Sequence, residues 1–119
     1  LHKASLKAFE LLAKGGDVTL SSASLLELDL VLKSSGFSVS EREEVFRTLH
    51  MRLVKARIAP LTPEALRNAI AIQRSYKIAD FYFDSLHVGT AMCGDCTVIS
   101  SHDAFDKIKE VTRIDPRGL

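Results

Sequence analysis

Apolar residues recur along this chain at helical spacing, and short β-rich runs interrupt them. Leu6, Phe9, Leu12 and Ala13 mark one face of a first helix, and Gly15-Gly16 stop it. Asp17 to Leu20 is a candidate strand. Ser21-Ser22 can cap a second helix, which runs to about Ser35 and stops near Gly36. Ser40-Glu-Arg-Glu43 reads as a capping box opening a third helix, with Val45, Leu49 and Leu53 on its inner face. Arg57 to Leu61 reads as a strand or extended link. Thr62-Pro63 then places a cap and a proline at the start of a fourth helix carrying Leu66, Ala69, Ile70 and Gln73. A fifth helix is predicted from about Phe81 to Met92, and a buried strand at Cys96 to Ser100. A short helix from about Asp103 and a closing strand at Val111 to Ile114 complete the pattern.

Short apolar strands alternating with helices predict an α/β domain, a parallel sheet with helices on both faces. Ligands of such sheets bind outside the carboxyl ends of the strands. Ser21-Ser22 and the segment from Ser100 to Asp103 both occupy such positions. The 119 residues suit a single domain spanning 1–119. A chain of this size buries roughly two-thirds of its unfolded surface, so it needs neither disulfides nor metal to fold. Leu1 begins directly in a helical pattern with no turn before it, so a preceding element is expected to be missing from this chain.

Charge narrows the choice of partner only a little. Sixteen basic residues oppose fifteen acidic ones, so no global field drives nucleic-acid or membrane binding. Arg42, Arg47, Arg52, Lys55, Arg57, Arg67, Arg74 and Lys77 could contact phosphates, although a solvated helix face accounts for most of them. The longest apolar run, Leu25 to Leu32, is broken by Glu27 and Asp29 and is too short to span a bilayer. Two cysteines without a secretory signal point to a reducing, cytoplasmic setting.

Two carboxylates stand out against this pattern. Glu27 has Ala23, Ser24, Leu30 and Val31 as its helical neighbours, all small or apolar, so it is expected to point inward. A carboxylate there must be paired, protonated or bound to a cation. Either a buried hydrogen bond or a metal satisfies that demand. Asp29, by contrast, has Lys33 one turn on as a solvent-side partner. Asp84 has Asp80 and Phe81 one turn before it and His87 and Val88 one turn after. A local Asp84–His87 pair, a first-turn aspartate favoured by the helix dipole and a metal ligand are all compatible with that setting.

Ser100-Ser-His-Asp103 follows a buried strand, where Asp103 could serve metal chemistry or simply cap the short helix. Asp106, with Lys109 and Glu110 nearby, reads as exposed. Cys93-Gly-Asp-Cys96 lacks a second cysteine pair, and it lies between a helix and a strand, the reverse of a thioredoxin-type site. Packing thiols are the favoured reading over metal or redox roles. His2, His50, His87 and His102 show no ligand spacing, and only His102, beside Asp103, invites attention. No phosphate-binding glycine loop and no GxSxG motif are present.

Taken in order, these segments resemble the PIN domain, in the small single-domain form of VapC-type toxins. Ser21 to Leu32 is similar to the family's strand-end serine followed by an apolar helix with a glutamate. Tyr82-Phe-Asp84-Ser-Leu-His-Val-Gly-Thr-Ala91 is similar to its aspartate-bearing helix. Val98 to Ile108, with Arg113 to Pro116, is similar to its C-terminal strand, acidic site and closing strand. The resemblance implies a three-layer α/β/α fold whose N-terminal strand, bearing the family's leading aspartate, is missing here. It also implies a hydrolase in which acidic side chains hold Mg²⁺ or Mn²⁺ and the ion activates water against an RNA phosphodiester. Carried over, the ligands are Glu27, Asp84 and Asp103. The family's last aspartate usually stands three residues before a phenylalanine. That position holds His102 here, which makes His102 an alternative ligand. An antitoxin protein partner and a homodimer are further implications, with RNA processing as the alternative cellular role. A non-catalytic PIN-like module that binds RNA or protein is the rival reading.

Overall fold

The computed structural model describes residues 2–77 and 81–119, with side chains from Leu6 onward. Asp80, the sequence neighbour of Asp84 one turn earlier, lies outside the described residues. Helix α1 (His2–Ala13) leads to strand β1 (Thr19–Ser21), helices α2 (Ala23–Ser34) and α3 (Val39–Arg52), and strand β2 (Arg57–Ala59). Helices α4 (Pro63–Tyr76) and α5 (Tyr82–Met92) follow, then β3 (Thr97–Ile99), a 3-10 turn (Asp103–Lys107), β4 (Thr112–Ile114) and a second 3-10 turn (Pro116–Gly118).

All described strand pairing is parallel, as the alternating pattern requires. Thr19, Leu20 and Ser21 face Arg57, Ile58 and Ala59. Thr97, Val98 and Ile99 face Thr112, Arg113 and Ile114. The strands form two separate two-stranded sheets rather than one continuous sheet. Helices α4 and α5 bridge the two halves. One apolar cluster joins Ile72 and Val88 to Phe81, Phe105, Ile108 and Val111 next to β3 and β4. The other joins Ala69 and Leu86 to Ala23, with Phe83 packed against it. Each helix therefore contributes to both clusters.

Local sequence explains most element ends. Thr62 accepts the Ala65 amide and Pro63 opens α4. Lys77 ends that helix in the left-handed region at φ 49°. Gly36, at φ 89°, turns the chain out of α2. The capping box of α3 is Ser38 with Glu41, not Ser40 with Glu43. Ser38 Oγ accepts the Glu41 amide at 3.1 Å, and the Ser38 amide donates to Glu41 Oε1 at 2.8 Å. Two overlapping S-x-x-E patterns compete here, and Ser38 wins because its backbone is extended where the helix begins. Ser22 precedes α2 without a side-chain cap. Its hydroxyl instead accepts the Leu61 amide at 2.9 Å, which ties the start of α2 to the segment after β2.

Of the periodic residues noted for α4, Ala69 faces inward, but Leu66 and Ile70 do not. Ala65, Ala69 and Ile72 are buried, whereas Leu66 and Ile70 are exposed. The small residues face inward because α5 approaches very closely. A Cβ added at Gly89 would lie 2.2 Å from the Ala65 carbonyl oxygen and 2.7 Å from the Ala69 amide nitrogen. Both are backbone atoms and cannot rotate away. Gly89→Ala should therefore destabilise the fold by about 3 kcal/mol, despite alanine's better helix propensity. A fall in the midpoint of chemical unfolding at constant slope is the expected measurement, and an unchanged midpoint would contradict the close approach.

Candidate metal centre

Helix α5 brings the candidate side chains together because it packs against β1, α2 and β3 alike. Its N-terminal half is pinned from α4. Gln73 Nε2 donates to the fully buried Ser85 hydroxyl at 2.8 Å, and Ser85 donates to the Tyr82 carbonyl at 2.6 Å. Asp84 and His87 stand one turn apart on this anchored segment, and side chains at that spacing share a helix face.

His87 reaches toward the carboxyl end of β1. Its Nε2 lies 3.1 Å from Glu27 Oε1, and its Nδ1 lies 3.1 Å from Ser21 Oγ. An ionised carboxylate only accepts, so Nε2 carries the proton that faces Glu27. In the neutral imidazole, Nδ1 then accepts the Ser21 hydroxyl. Asp84 reaches the other way, toward the carboxyl end of β3. Its Oδ2 lies 3.2 Å from His102 Nδ1, an ion pair when the imidazole is protonated. The His102 ring packs edge-on against buried Phe105, with centroids 6.0 Å apart.

The partners differ from those the sequence suggested. Asp84 does not pair with His87 on its own helix; each reaches a residue of a different segment. Glu27 does not point into an apolar interior, since its side chain remains 42% exposed against 21% for Asp84. Asp29 pairs with Arg42 of α3, whose Nε donates at 2.8 Å, rather than with Lys33. Asp103 is exposed in the first turn of the 3-10 segment, and the residue capping that turn is His102. Asp106 is exposed as expected, but it accepts both Nε and Nη2 of Arg113, at 2.9 and 3.0 Å. The Arg113 guanidinium holds the Asp106 carboxyl below its ordinary range, and the Asp106 hydrogen bond raises Arg113 in turn. Arg113 Nη1 also donates to the Ser100 carbonyl at 3.0 Å, which fixes the strand end from which His102 departs.

Ser21 was noted as a strand-end residue and His87 as a possible partner of Asp84, but sequence reasoning missed that they join one another. Their contact spans the distance from β1 to α5, and no local spacing reports it. A faint signal existed, because His87 lies one turn from Asp84 on the same helix.

Glu27 thus meets His87 near the carboxyl end of β1, and Asp84, on α5 itself, meets His102 beyond the carboxyl end of β3. Among the described residues, no group of three or more His, Cys, Asp or Glu side chains is placed to hold a metal ion together. Each pair engages one oxygen of its carboxylate and leaves the other outside the pair. Carboxylate oxygens with a hydroxyl nearby suit a hard divalent cation in donor chemistry.

The family model for the PIN domain matches residues 1–111. The chain belongs to the PIN domain family. Among curated proteins, none matches it. PIN domains are generally nucleases that depend on divalent metal ions, and PIN nucleases act on RNA. The paired acids of this PIN domain thus lie in the chemical class its family uses. No described helix is long and apolar enough to cross a membrane.

If the acids of this PIN domain select a cation, Mn²⁺ should broaden the imidazole NMR signals of His87 and His102 first. The signal of His50, on the exposed face of α3, should stay sharp at the same concentration. Glu27→Gln should weaken the selective broadening at His87. Equal broadening of all three rings would show that the carboxylates do not concentrate the ion.

Proposed function

We propose that this PIN domain is a Mg²⁺- or Mn²⁺-dependent endoribonuclease, with Glu27, Asp84 and Asp103 as its metal-holding acids. The observation that carries this reading is that Asp84 and His87, one turn apart on α5, engage His102 beyond β3 and Glu27 beyond β1 respectively. Asp103 immediately follows His102, the partner of Asp84, so a modest rearrangement of the exposed 3-10 turn would bring it toward the same place. His102 is the alternative third ligand. The bound ion would supply an activated water and offset the charge that develops on the attacked phosphodiester.

The finer reading is a small toxin of the VapC type, acting in the cytoplasm and neutralised by an antitoxin protein. The surface of α2 and α3 supports a partner. Helix α2 buries only Ala23, and α3 buries no residue at all. Leu26, Leu30, Val31, Val39 and Met51 remain exposed there, Val39 to 74%. Apolar area of this kind marks interaction surfaces, for a second copy of the chain or for an antitoxin. The three-layer arrangement belongs to the same proposal: α5 packs on both two-stranded sheets, and a further strand between them would join them into one.

The basic residues divide by their partners. Arg42 is committed to Asp29, Arg47 to Glu43 and Glu44, and Arg52 lies over the Phe9 ring. Arg57, Arg67 and Arg74 are exposed and are the better candidates for contacting an RNA backbone.

Cleavage of single-stranded RNA by the full chain should require Mg²⁺ or Mn²⁺ and stop with EDTA. Glu27→Gln and Asp84→Asn should each lower the rate at least about 100-fold, since each removes a charged ligand rather than a supporting group. Equal cleavage by wild type, variants and EDTA-treated protein would refute the metal-nuclease reading. RNA binding without cleavage in Mn²⁺ would favour a non-catalytic binding module.

A further inference from the structure

Cys93 and Cys96 bracket the turn that carries the chain from α5 into β3. They do not behave as the packing thiols that the sequence favoured. Both are free, Cys93 is exposed, and Cys96 is only half-buried. Neither belongs to the two apolar clusters. Cys93 Sγ donates to the Gly89 carbonyl at 3.5 Å, and Asn68 Nδ2 donates to Cys93 Sγ at 3.6 Å, so that sulfur sits in polar surroundings.

The segment that carries the two cysteines is folded back on the end of α5. The Gly94 and Cys96 amides both donate to the Ala91 carbonyl at 2.9 Å. Cys93 and Cys96 are three residues apart, so even an extended chain leaves their α-carbons within about 10 Å, and the folded segment shortens that toward the roughly 7 Å a disulfide spans. Cys96 also adopts φ 58°, one of two non-glycine residues with positive φ among those described. That conformation costs any residue with a Cβ, and glycine would occupy it freely. A cysteine kept in such a position, three residues from a second exposed thiol, points to use of its sulfur.

We propose that Cys93 and Cys96 form a reversible dithiol–disulfide pair that clasps the joint between α5 and β3. The oxidant is a small-molecule disulfide such as oxidised glutathione. The Cys93 thiolate attacks one sulfur of that disulfide, forming a mixed disulfide and releasing one glutathione thiolate. The Cys96 thiolate then attacks the Cys93 sulfur and releases the second glutathione. Two cysteine thiols are thereby oxidised, one external disulfide is reduced by two electrons, and the two thiol protons pass to the released glutathiones. The exposed thiol reacts first and its neighbour resolves it. The clasp lies at the opposite end of α5 from Asp84, so this inference is independent of the nuclease reading.

The test equilibrates the full chain with mixtures of reduced and oxidised glutathione, alkylates the remaining thiols and weighs the products. In oxidising mixtures both thiols should vanish together, with loss of two hydrogens, no bound glutathione and no covalent dimer. Dithiothreitol should restore both. Cys96→Ser should instead retain one glutathione on Cys93. Cys96→Gly, which removes the sulfur and relieves the backbone, should behave in the same way and raise the melting temperature. This second variant keeps the test decisive if the serine variant folds poorly. Persistent glutathione on Cys93 of the wild type, an alkylated pair at every ratio, or disulfides only between molecules would each overturn the proposal.

Discussion

Gly89 lets α5 approach α4 so closely that a single methyl group would collide with backbone atoms of Ala65 and Ala69. That contact places α5 where it can serve both halves of the molecule. Close packing of two helices along small residues leaves little freedom to slide, because any shift drives a backbone atom into another. Side chains on α5 therefore inherit fixed positions. Leu86 joins one apolar cluster and Val88 the other. The Gln73–Ser85 hydrogen bond adds a polar lock along the same interface, and together with the Tyr82 carbonyl it satisfies the fully buried Ser85 hydroxyl.

With α5 fixed, the site follows from helical geometry. Asp84 and His87 occupy one face, one turn apart, and the two strand pairs bring their carboxyl ends to either side. Ser21 and Glu27 arrive from β1 and α2, and His102 arrives from beyond β3. The Arg113 bond to the Ser100 carbonyl holds the second of these approaches in register. No single segment contains the site, and each contributes only one or two side chains. This explains why every motif in the chain is weak alone, while their order along the sequence is informative.

Periodicity and caps made the helices legible, because those signals are local. Thr62-Pro63 announced α4 without reference to anything distant. The inner face of α4 was legible only at Ala69, because alanine outcompetes leucine there only when a partner helix approaches at Gly89. The pairing of strands was equally hidden, since three-residue strands carry too little pattern to specify neighbours. Glu27 and Asp84 were noticed because acids among apolar residues demand an explanation. Which imidazole each would meet was not legible, because the Glu27–His87 and Asp84–His102 contacts connect segments far apart in sequence. Asp29 shows the same limit from the other side: its local partner Lys33 was plausible, and Arg42 of the next helix took the contact instead.

The Ser21–His87–Glu27 chain bears on how such acids could receive a cation. Two carboxylates carried by neighbouring elements repel one another, and partial burial strengthens that repulsion. An imidazole lies beside each, His87 at Glu27 and His102 at Asp84. A carboxylate has two oxygens, so His87 can keep Glu27 Oε1 while Oε2 turns to a ligand, and His102 can do the same for Asp84. A hydrogen-bonded neighbour of this kind narrows the orientations a ligating group samples. Ser21 extends the chain by one step, since its hydroxyl can donate to the Nδ1 that a proton on Nε2 leaves free. The serine at the end of β1 thus reaches Glu27 only through the ring of a third residue, a contact distinct from capping a helix.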